Sequence, residues 1–504
     1  MKIFSTAISR LARLRYWRIE HWVEEPIAAQ REVLQDLITH GQYTQFGIKY
    51  KFAEVFNIRK FKETVPIHEY NDLKPYIDQI MAGEESVLWN TPVEWFAKSS
   101  GTTSDKSKFI PITKENIEDN HFQGSKDVLS IYYNALPDSD LLTGKGLVIG
   151  GSHQVHPIKE DIQFGDLSAV LLQNSPIWSG LIRTPELSIA LMDEWEEKIE
   201  RLAQTTINEP VSSIAGVPTW TLILLKRILA ITGKQTIKEV WPQFELYIHG
   251  GVSFTPYKEQ FKKIIGAPIN YLEIYNASEG FFAAQNNLEE EGMLLFLDHG
   301  IFYEFMPIEE YGKPQPKTIG LDKVELGENY AIVISTNGGL WRYLVGDTIR
   351  FVQLAPYKIK VSGRLKQYIN AFGEEVISDN ADMAISQACE AFGVTINEYT
   401  AAPIYMSDKQ SGAHEWLIEF ENAPNNLEAF TICLDKNLQA LNSDYEAKRF
   451  KDIALGLPKI TATKKGAFHE WLKQKGKLGG QHKVPRLSNE RAFIEEIKLV
   501  NATL

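Results

Sequence analysis

Residues 269–280 read INYLEIYNASEG, an apolar-rich run closed by a turn in which Glu279 precedes Gly280. Tyr, Leu and Ile in a short run bounded by a glycine predict a strand, and the turn leaves one carboxylate at its end. Runs of the same texture flank it. FELYIHGG lies before it, GMLLFL, IFYEFMP and YAIVIST follow, and EWFAKSSGTT and KGLVIGGS stand further upstream. Helical stretches such as ELSIALMDEWEEKIERLAQ separate several of these runs, so the pattern predicts a large α/β domain with mixed sheets rather than an all-β barrel or a helical bundle.

The rest of the chain frames that domain. With 504 residues, 44% hydrophobic and 23% charged, it is long enough for two or three domains. The first ~90 residues carry helical periodicity, as in EEPIAAQREVLQDLITHG, where Ile27, Val33, Leu34 and Leu37 share a face and Gly41 ends the run. After IKVSGRLKQYIN come a long helix candidate SDNADMAISQACEAFG, a strand pair at YTAAPIYM and HEWLIEFE, and a charged helical stretch NNLEAFTICLDKNLQALNSDYEAKRF. This predicts a small α+β C-terminal domain, with the junction at Gly363 to Gln367: domains of residues 1–365 and 366–504. The N-terminal segment, broken by Arg10, Arg13, Arg15 and Arg18, reads as an amphipathic helix and not a signal peptide. The apolar run Thr219 to Leu225 stops at Lys226 and Arg227, short of a membrane span. A net charge of −12 argues against nucleic acid or an anionic membrane as partner. Two cysteines, Cys389 and Cys433, suit a reducing cytoplasm. No surplus apolar helix asks for a second copy, so a monomer is expected.

Three segments carry the chemistry. Ser99, Ser100, Gly101, Thr102 and Thr103 open a loop running to Lys108, between strand-like VEWFA and FIPIT; its hydroxyls and backbone N–H groups suit phosphate oxygens, with Lys106 and Lys108 as added charge. Tyr275, Asn276, Ala277, Ser278 and Glu279 form the turn quoted above. Trp341-Arg342-Tyr343-Leu344-Val345-Gly346-Asp347 puts a second carboxylate at another turn. One carboxylate to hold Mg²⁺ on phosphates and another to accept ribose hydroxyls are what a nucleotide site needs. The loop is not a Walker A motif, and Gly146 to Gly151 lacks the spacing of a dinucleotide fingerprint.

In this order the segments resemble the signatures of the adenylate-forming superfamily, and Gly363-Arg364 followed by Asn370, Gly373 and Glu374 is similar to its domain junction. Within it, FKETVPIHEYNDLKPYIDQIMAGEESVLW, KFIPIT, AGVPTW, LWRYLVGDTIRF and GAFHEWLKQKGKLGGQHKVPRL resemble segments of the plant-type acyl acid amido synthetases, whose plant members conjugate auxin, jasmonate and related acids to amino acids. Two departures stand out. Asp105 replaces the usual glycine of the loop, and Arg342 precedes rather than follows the tyrosine, so Arg342 is given no ATP contact.

The resemblance implies a ligase that uses ATP and Mg²⁺ on a small carboxylic acid and an amino acid. The acid attacks the α-phosphorus, pyrophosphate leaves, and an amine then takes the acyl group. It implies that Ser99, Ser100, Gly101, Thr102 and Thr103 bind phosphate, that Glu279 holds the metal, that Asp347 and Arg364 hold the ribose, and that Tyr275 and the Gly250 to Ser253 turn border adenine. Lys483, in Gln481-His482-Lys483-Val484-Pro485-Arg486, would neutralise the α-phosphate, ahead of the rival lysines of Pro458 to Gly466. Val217, Pro218, Thr219 and Trp220 are candidate acyl walls, and Arg183 a partner for a second acidic group. His153, His156 and His249 are candidate bases with nothing to choose among them. An acyl-CoA ligase or acyl-protein synthetase shares the first step, and a non-catalytic nucleotide- or acyl-binding scaffold is the third reading.

Overall fold

The computed structural model describes residues 2–100, 107–150, 156–159, 162–192, 194–251, 254, 257–365, 367–407, 411–475 and 484–504. Its centre is an eleven-stranded sheet. From Ile301–Pro307 it runs through Asn329–Thr336, Tyr343–Leu354, Tyr357–Arg364, Met293–Leu295 and Gly280–Gln285 to Asn270–Ala277, every pair antiparallel. Beyond Asn270–Ala277 the strands Leu246–His249, Val211–Ala215, Lys145–Val148 and Arg183–Thr184 are all parallel. The run YAIVIST is buried along its length, which is why it reads as continuous apolar sequence rather than as alternation.

Helices cover both halves, and their ends follow local chemistry. Pro218–Thr232 starts with proline in the first turn and stops at Gly233, whose φ of 66° is left-handed. Pro26–Gly41 ends where a Cβ on Gly41 would lie 2.5 Å from the Trp341 ring, so that glycine is demanded by packing. A four-stranded sheet stands beside the large one. Its antiparallel pair Trp95–Ser100 and Ser107–Ile112 sets Ser99 opposite Lys108.

The C-terminal part is α+β as expected. Antiparallel Thr395–Ile404 and Ala413–Asn422, joined by parallel Lys459–Ala462, carry Ser378–Phe392 and Leu427–Leu441 on one face, and Ala467–Gln474 and Ala492–Thr503 on the other. The predicted single helical stretch after residue 425 is two helices. Asn442 ends the first and caps the second, accepting from Tyr445 N–H at 2.8 Å. Apolar packing is continuous from the parallel half, through Tyr257 and Phe261, into Phe372, Trp416 and Leu487. No described helix is long and apolar enough to cross a membrane.

Candidate active site

The strand Asn270–Ala277 is where the sheet changes from antiparallel to parallel, and a cavity of about 1060 Å³ opens beside its carboxyl end. Openings of this kind, past strand ends at a change of strand order, are where α/β sheets commonly take ligands. Asp347 pairs across the ladder with Arg364. Its carboxylate accepts the Tyr275 hydroxyl at 2.6 Å and Arg364 Nε–H at 2.7 Å, and it is 8% exposed. The other arm of Arg364 donates to Glu375 at 3.0 and 3.2 Å, and its guanidinium lies 5.1 Å from the centre of the Tyr368 ring. Burial alone would lower the Arg364 guanidinium, but Glu375 and Asp347 outweigh it and hold it well above its ordinary value. Tyr275 is pushed far up by burial and by Asp347, so its phenol stays a donor.

A second cluster forms the far end of the cavity. Ser99, Lys108, Glu279, Glu69 and Tyr70 all line it. The Lys108 ammonium donates to the Tyr343 hydroxyl at 3.5 Å and stands 5.7 Å from the centre of the Tyr70 ring, whose own hydroxyl accepts Phe109 N–H at 2.9 Å. Burial lowers the Lys108 ammonium while Glu279 opposes the drop; burial raises the Glu279 carboxyl while Lys108 restrains the rise. One buried acid and one largely enclosed cation therefore face a polar chamber, each tuned by the other. Lys108 entered the sequence reading only as extra charge on a loop. Its register opposite Ser99 comes from the antiparallel pair, and its tyrosine neighbours Tyr70 and Tyr343 come from distant elements, which spacing does not reveal.

The expected residues sort as follows. Ser99, Tyr275, Asn276, Ala277, Ser278, Glu279, Asp347 and Arg364 line the one cavity. Ser100 ends its strand, while Gly101, Thr102, Thr103 and Lys483 lie outside the described residues. Leu487 to Glu490, just beyond Lys483 in sequence, do line the cavity. Asn276 Oδ1 is 3.1 Å from His121 Nδ1, a buried ring pushed down to about 4 by burial. Val217, Pro218 and Trp220 are not among the residues lining this cavity. Trp220 is 4% exposed in the second apolar core, with the Lys448 ammonium 5.3 Å from its ring centre, because the apolar face of its helix packs inward. The Thr219 side chain lies outside the described residues. Arg183 lies away from the cavity and donates to Ser175 Oγ at 3.1 Å.

Three further positions change meaning. Arg342, given no ATP role, is buried with φ of 43° and forks onto Glu304 at 2.8 and 2.9 Å. Glu374 is fully buried, accepting Phe372 N–H at 2.6 Å and lying 2.8 Å from His414 Nε2, so it holds the C-terminal unit together. Its neighbour Glu375, with φ of 40°, is the one that reaches Arg364. Gly250 is required by the sheet itself: a Cβ there would stand 2.4 Å from the Ile274 carbonyl oxygen.

Comparison with known proteins follows the same outline. The chain matches the GH3 family N-terminal domain over residues 15–269, the central domain over 294–364 and the C-terminal domain over 379–492. It is 23% identical to an indole-3-acetic acid-amido synthetase of Arabidopsis thaliana, over 93% of this chain and 90% of that protein. It is 25% identical to a jasmonoyl–L-amino acid synthetase of Nicotiana attenuata, over 91% and 90%. The solved structure of the GH3.15 acyl acid amido synthetase superposes with a TM-score of 0.62 at 18% identity, covering 97% of this chain and 96% of that one.

Proposed function

This chain belongs to the GH3 family over most of its length, and from that premise we propose that it is an ATP-dependent acyl acid amido synthetase. The observation that carries the reading is Asp347, held between the Tyr275 hydroxyl and the Arg364 guanidinium on the wall of a cavity that also receives Glu279 and Lys108. That is a hydroxyl-accepting carboxylate at one end and a charge-handling pair at the other, arranged as ribose and phosphates are in ATP.

In the first half-reaction a carboxylate oxygen of the acid attacks the α-phosphorus and pyrophosphate leaves. Two anions have to approach, so alignment and charge compensation set the barrier. Lys108 supplies positive charge from the wall, Ser99 and the loop after it supply donors, and Asp347 with Arg364 fixes the ribose. Glu279 is the carboxylate that would hold Mg²⁺. A Mg²⁺ held by this one carboxylate would take its remaining ligands from phosphate oxygens and water. When bound, the ion would supply charge neutralisation on the phosphates.

In the second half-reaction an amino acid's neutral amine attacks the acyl carbonyl and AMP leaves. Residues 366–504 would rearrange about Gly363 to Gln367 between the steps and bring Lys483 to the α-phosphate. Gly363, at that junction, holds a φ of 154°, a backbone conformation that favours glycine.

Acid-dependent exchange of labelled pyrophosphate into ATP, over aromatic, indolic and fatty acids, tests the first step. Exchange is expected with at least one class, and its absence with every acid would leave a non-catalytic binding scaffold. Product masses with amino acids against CoA as acceptor then test the second step: amides are expected, and thioesters alone would refute it.

A further inference from the structure

The proposed mechanism leaves one requirement unassigned: in the second half-reaction the attacking nitrogen must shed a proton where it meets the acyl carbonyl. That end of the cavity is built partly by the segment ahead of the helix Tyr70–Met81. His68 bridges to Tyr343; its N–H donates to the Arg342 carbonyl at 2.9 Å, and its carbonyl accepts Leu344 N–H at 2.8 Å. The segment is thereby stitched to the strand that carries Asp347, and the next residue, Glu69, lines the cavity together with Tyr70 and Lys108.

Glu69 is an exposed carboxylate at the start of that helix. Its N–H donates to Asp72 Oδ2 at 2.8 Å in a capping box, and the helix N-terminus favours its negative charge. Tyr343 ties it to the chemistry. That phenol is fully buried, accepts from Lys108 at 3.5 Å, and is pushed well up by burial first, then by Glu279 and Tyr70, and further by Glu69. Two carboxylates therefore act on one hydroxyl, Glu279 buried and Glu69 open to solvent.

The other carboxylates of the cavity are committed or stand elsewhere. Asp347 and Glu375 share Arg364, Glu291 pairs with Lys360, and Glu279 is the proposed metal holder. Glu273 lies across the ladder from His249, at the end nearer Gly251. Glu490 is at that end too: it follows Asn489, whose side chain accepts Asn370 N–H at 2.7 Å while the Asn370 amide donates to the Gly251 carbonyl at 3.1 Å. His249, a candidate base from sequence, is therefore also at the end away from the phosphates.

Resting on the amido synthetase reading, we propose that Glu69 is the general base of amide formation. The amine enters neutral. Its nitrogen–carbon bond forms, the carbon–oxygen bond to AMP breaks with its electrons going to the phosphate, and the proton on nitrogen passes to the Glu69 carboxylate. Exposure lets the Glu69 carboxyl return that proton to water. Adenylation needs no such base, because the acid attacks as a carboxylate.

The test separates the two half-reactions in the full chain. Acid-dependent pyrophosphate exchange and amide formation are measured for the wild type, Glu69→Gln and Glu69→Asp, with the acid of the aromatic, indolic and fatty panel that exchanges best. The acceptors are a mixture of the common amino acids and, separately, hydroxylamine. Glutamine keeps an acceptor for the helix cap but is no base, so the ratio of amide formation to exchange should fall about 100-fold. Aspartate keeps the carboxylate and should recover part of that ratio. Hydroxylamine sheds its proton more readily, so hydroxamate formation should fall less than amide formation. An unchanged ratio in Glu69→Gln overturns this assignment alone, as do equal losses with hydroxylamine and amino acids, which would make Glu69 a positioning residue. A wild type that exchanges with no acid overturns it together with the reading beneath it.

Discussion

Replacing Asp347 by Asn tests whether the carboxylate at the centre of the site serves the nucleotide or only the fold. In the wild type it is 8% exposed and accepts two hydrogen bonds, from Tyr275 at 2.6 Å and Arg364 at 2.7 Å. Bonds to an ionised acceptor are worth ~1.5–3 kcal/mol each when a partner is removed. Asparagine keeps one acceptor, turns a donor toward a donor, and leaves Arg364 with Glu375 alone. The expected loss of folding stability is therefore about 2–4 kcal/mol. A ribose hydroxyl donating to a neutral oxygen in place of a carboxylate loses ~1–2 kcal/mol more in binding, a factor of roughly 5–30 in KM for ATP. Tyr275→Phe is the control. It removes one donor but keeps the carboxylate, so stability should drop by ~1–2 kcal/mol while KM for ATP stays within about threefold. Denaturant unfolding gives the first quantity, and pyrophosphate exchange against ATP concentration the second. A D347N enzyme less stable but with the KM of the wild type would make Asp347 purely structural, and the ribose assignment would fail.

Exchange activity should fall on both sides of neutrality for opposite reasons. Burial first, partly offset by Lys108, raises Glu279, so metal-holding charge is lost as pH falls through a pKa above the ordinary 4.5; burial lowers Lys108, so its charge is lost as pH rises through a pKa below 10.5. Lys108→Arg should move the alkaline limb upward, and a limb that stays put would acquit Lys108. His121, held by burial at about 4 against an ordinary 6.5, contributes stability above pH 6.5 that is lost as pH falls toward 4, ~3 kcal/mol by linkage. Its replacement by Asn should flatten the unfolding free energy over that interval, and an unchanged slope would contradict the neutral buried ring. Arg342→Met should destabilise the fold by about 3 kcal/mol by removing the fork on Glu304, which would keep only Lys62 at 3.7 Å and the Thr318 hydroxyl. KM for ATP should be unchanged in the folded fraction, and a raised KM would give Arg342 the nucleotide role denied to it.

The sequence carried the two segments that meet at Asp347, because each is an apolar run with a glycine beside its carboxylate and both belong to one sheet, but it set Asp347 at a turn, whereas the residue lies within the strand Tyr343–Leu354. It did not carry their pairing. That Arg364 lies opposite Asp347 follows from the register between Tyr343–Leu354 and Tyr357–Arg364, which contains irregularities that no residue spacing encodes. The adjacent Glu374 and Glu375 are indistinguishable in sequence, yet a left-handed residue sends one toward Arg364 while its neighbour is buried beside His414. The burial of Trp220 was not legible for a general reason: an aromatic residue at a helix start looks the same whether its face meets a substrate or the core. The α/β class was legible because strand texture is local. The division of the sheet into antiparallel and parallel halves at Asn270–Ala277 depends on long-range order, and was not.

Arg364 is one guanidinium serving two masters. Its Nε–H belongs to Asp347 and its terminal nitrogens to Glu375, in the segment that leads into the C-terminal unit. Affinity linked through a shared group is reciprocal. If, as proposed, a nucleotide binds at Asp347 and tightens or loosens the grip of Arg364 on Glu375, docking of the proposed mobile unit would change nucleotide affinity by the same factor, and its equilibrium would be readable as a binding constant for ATP.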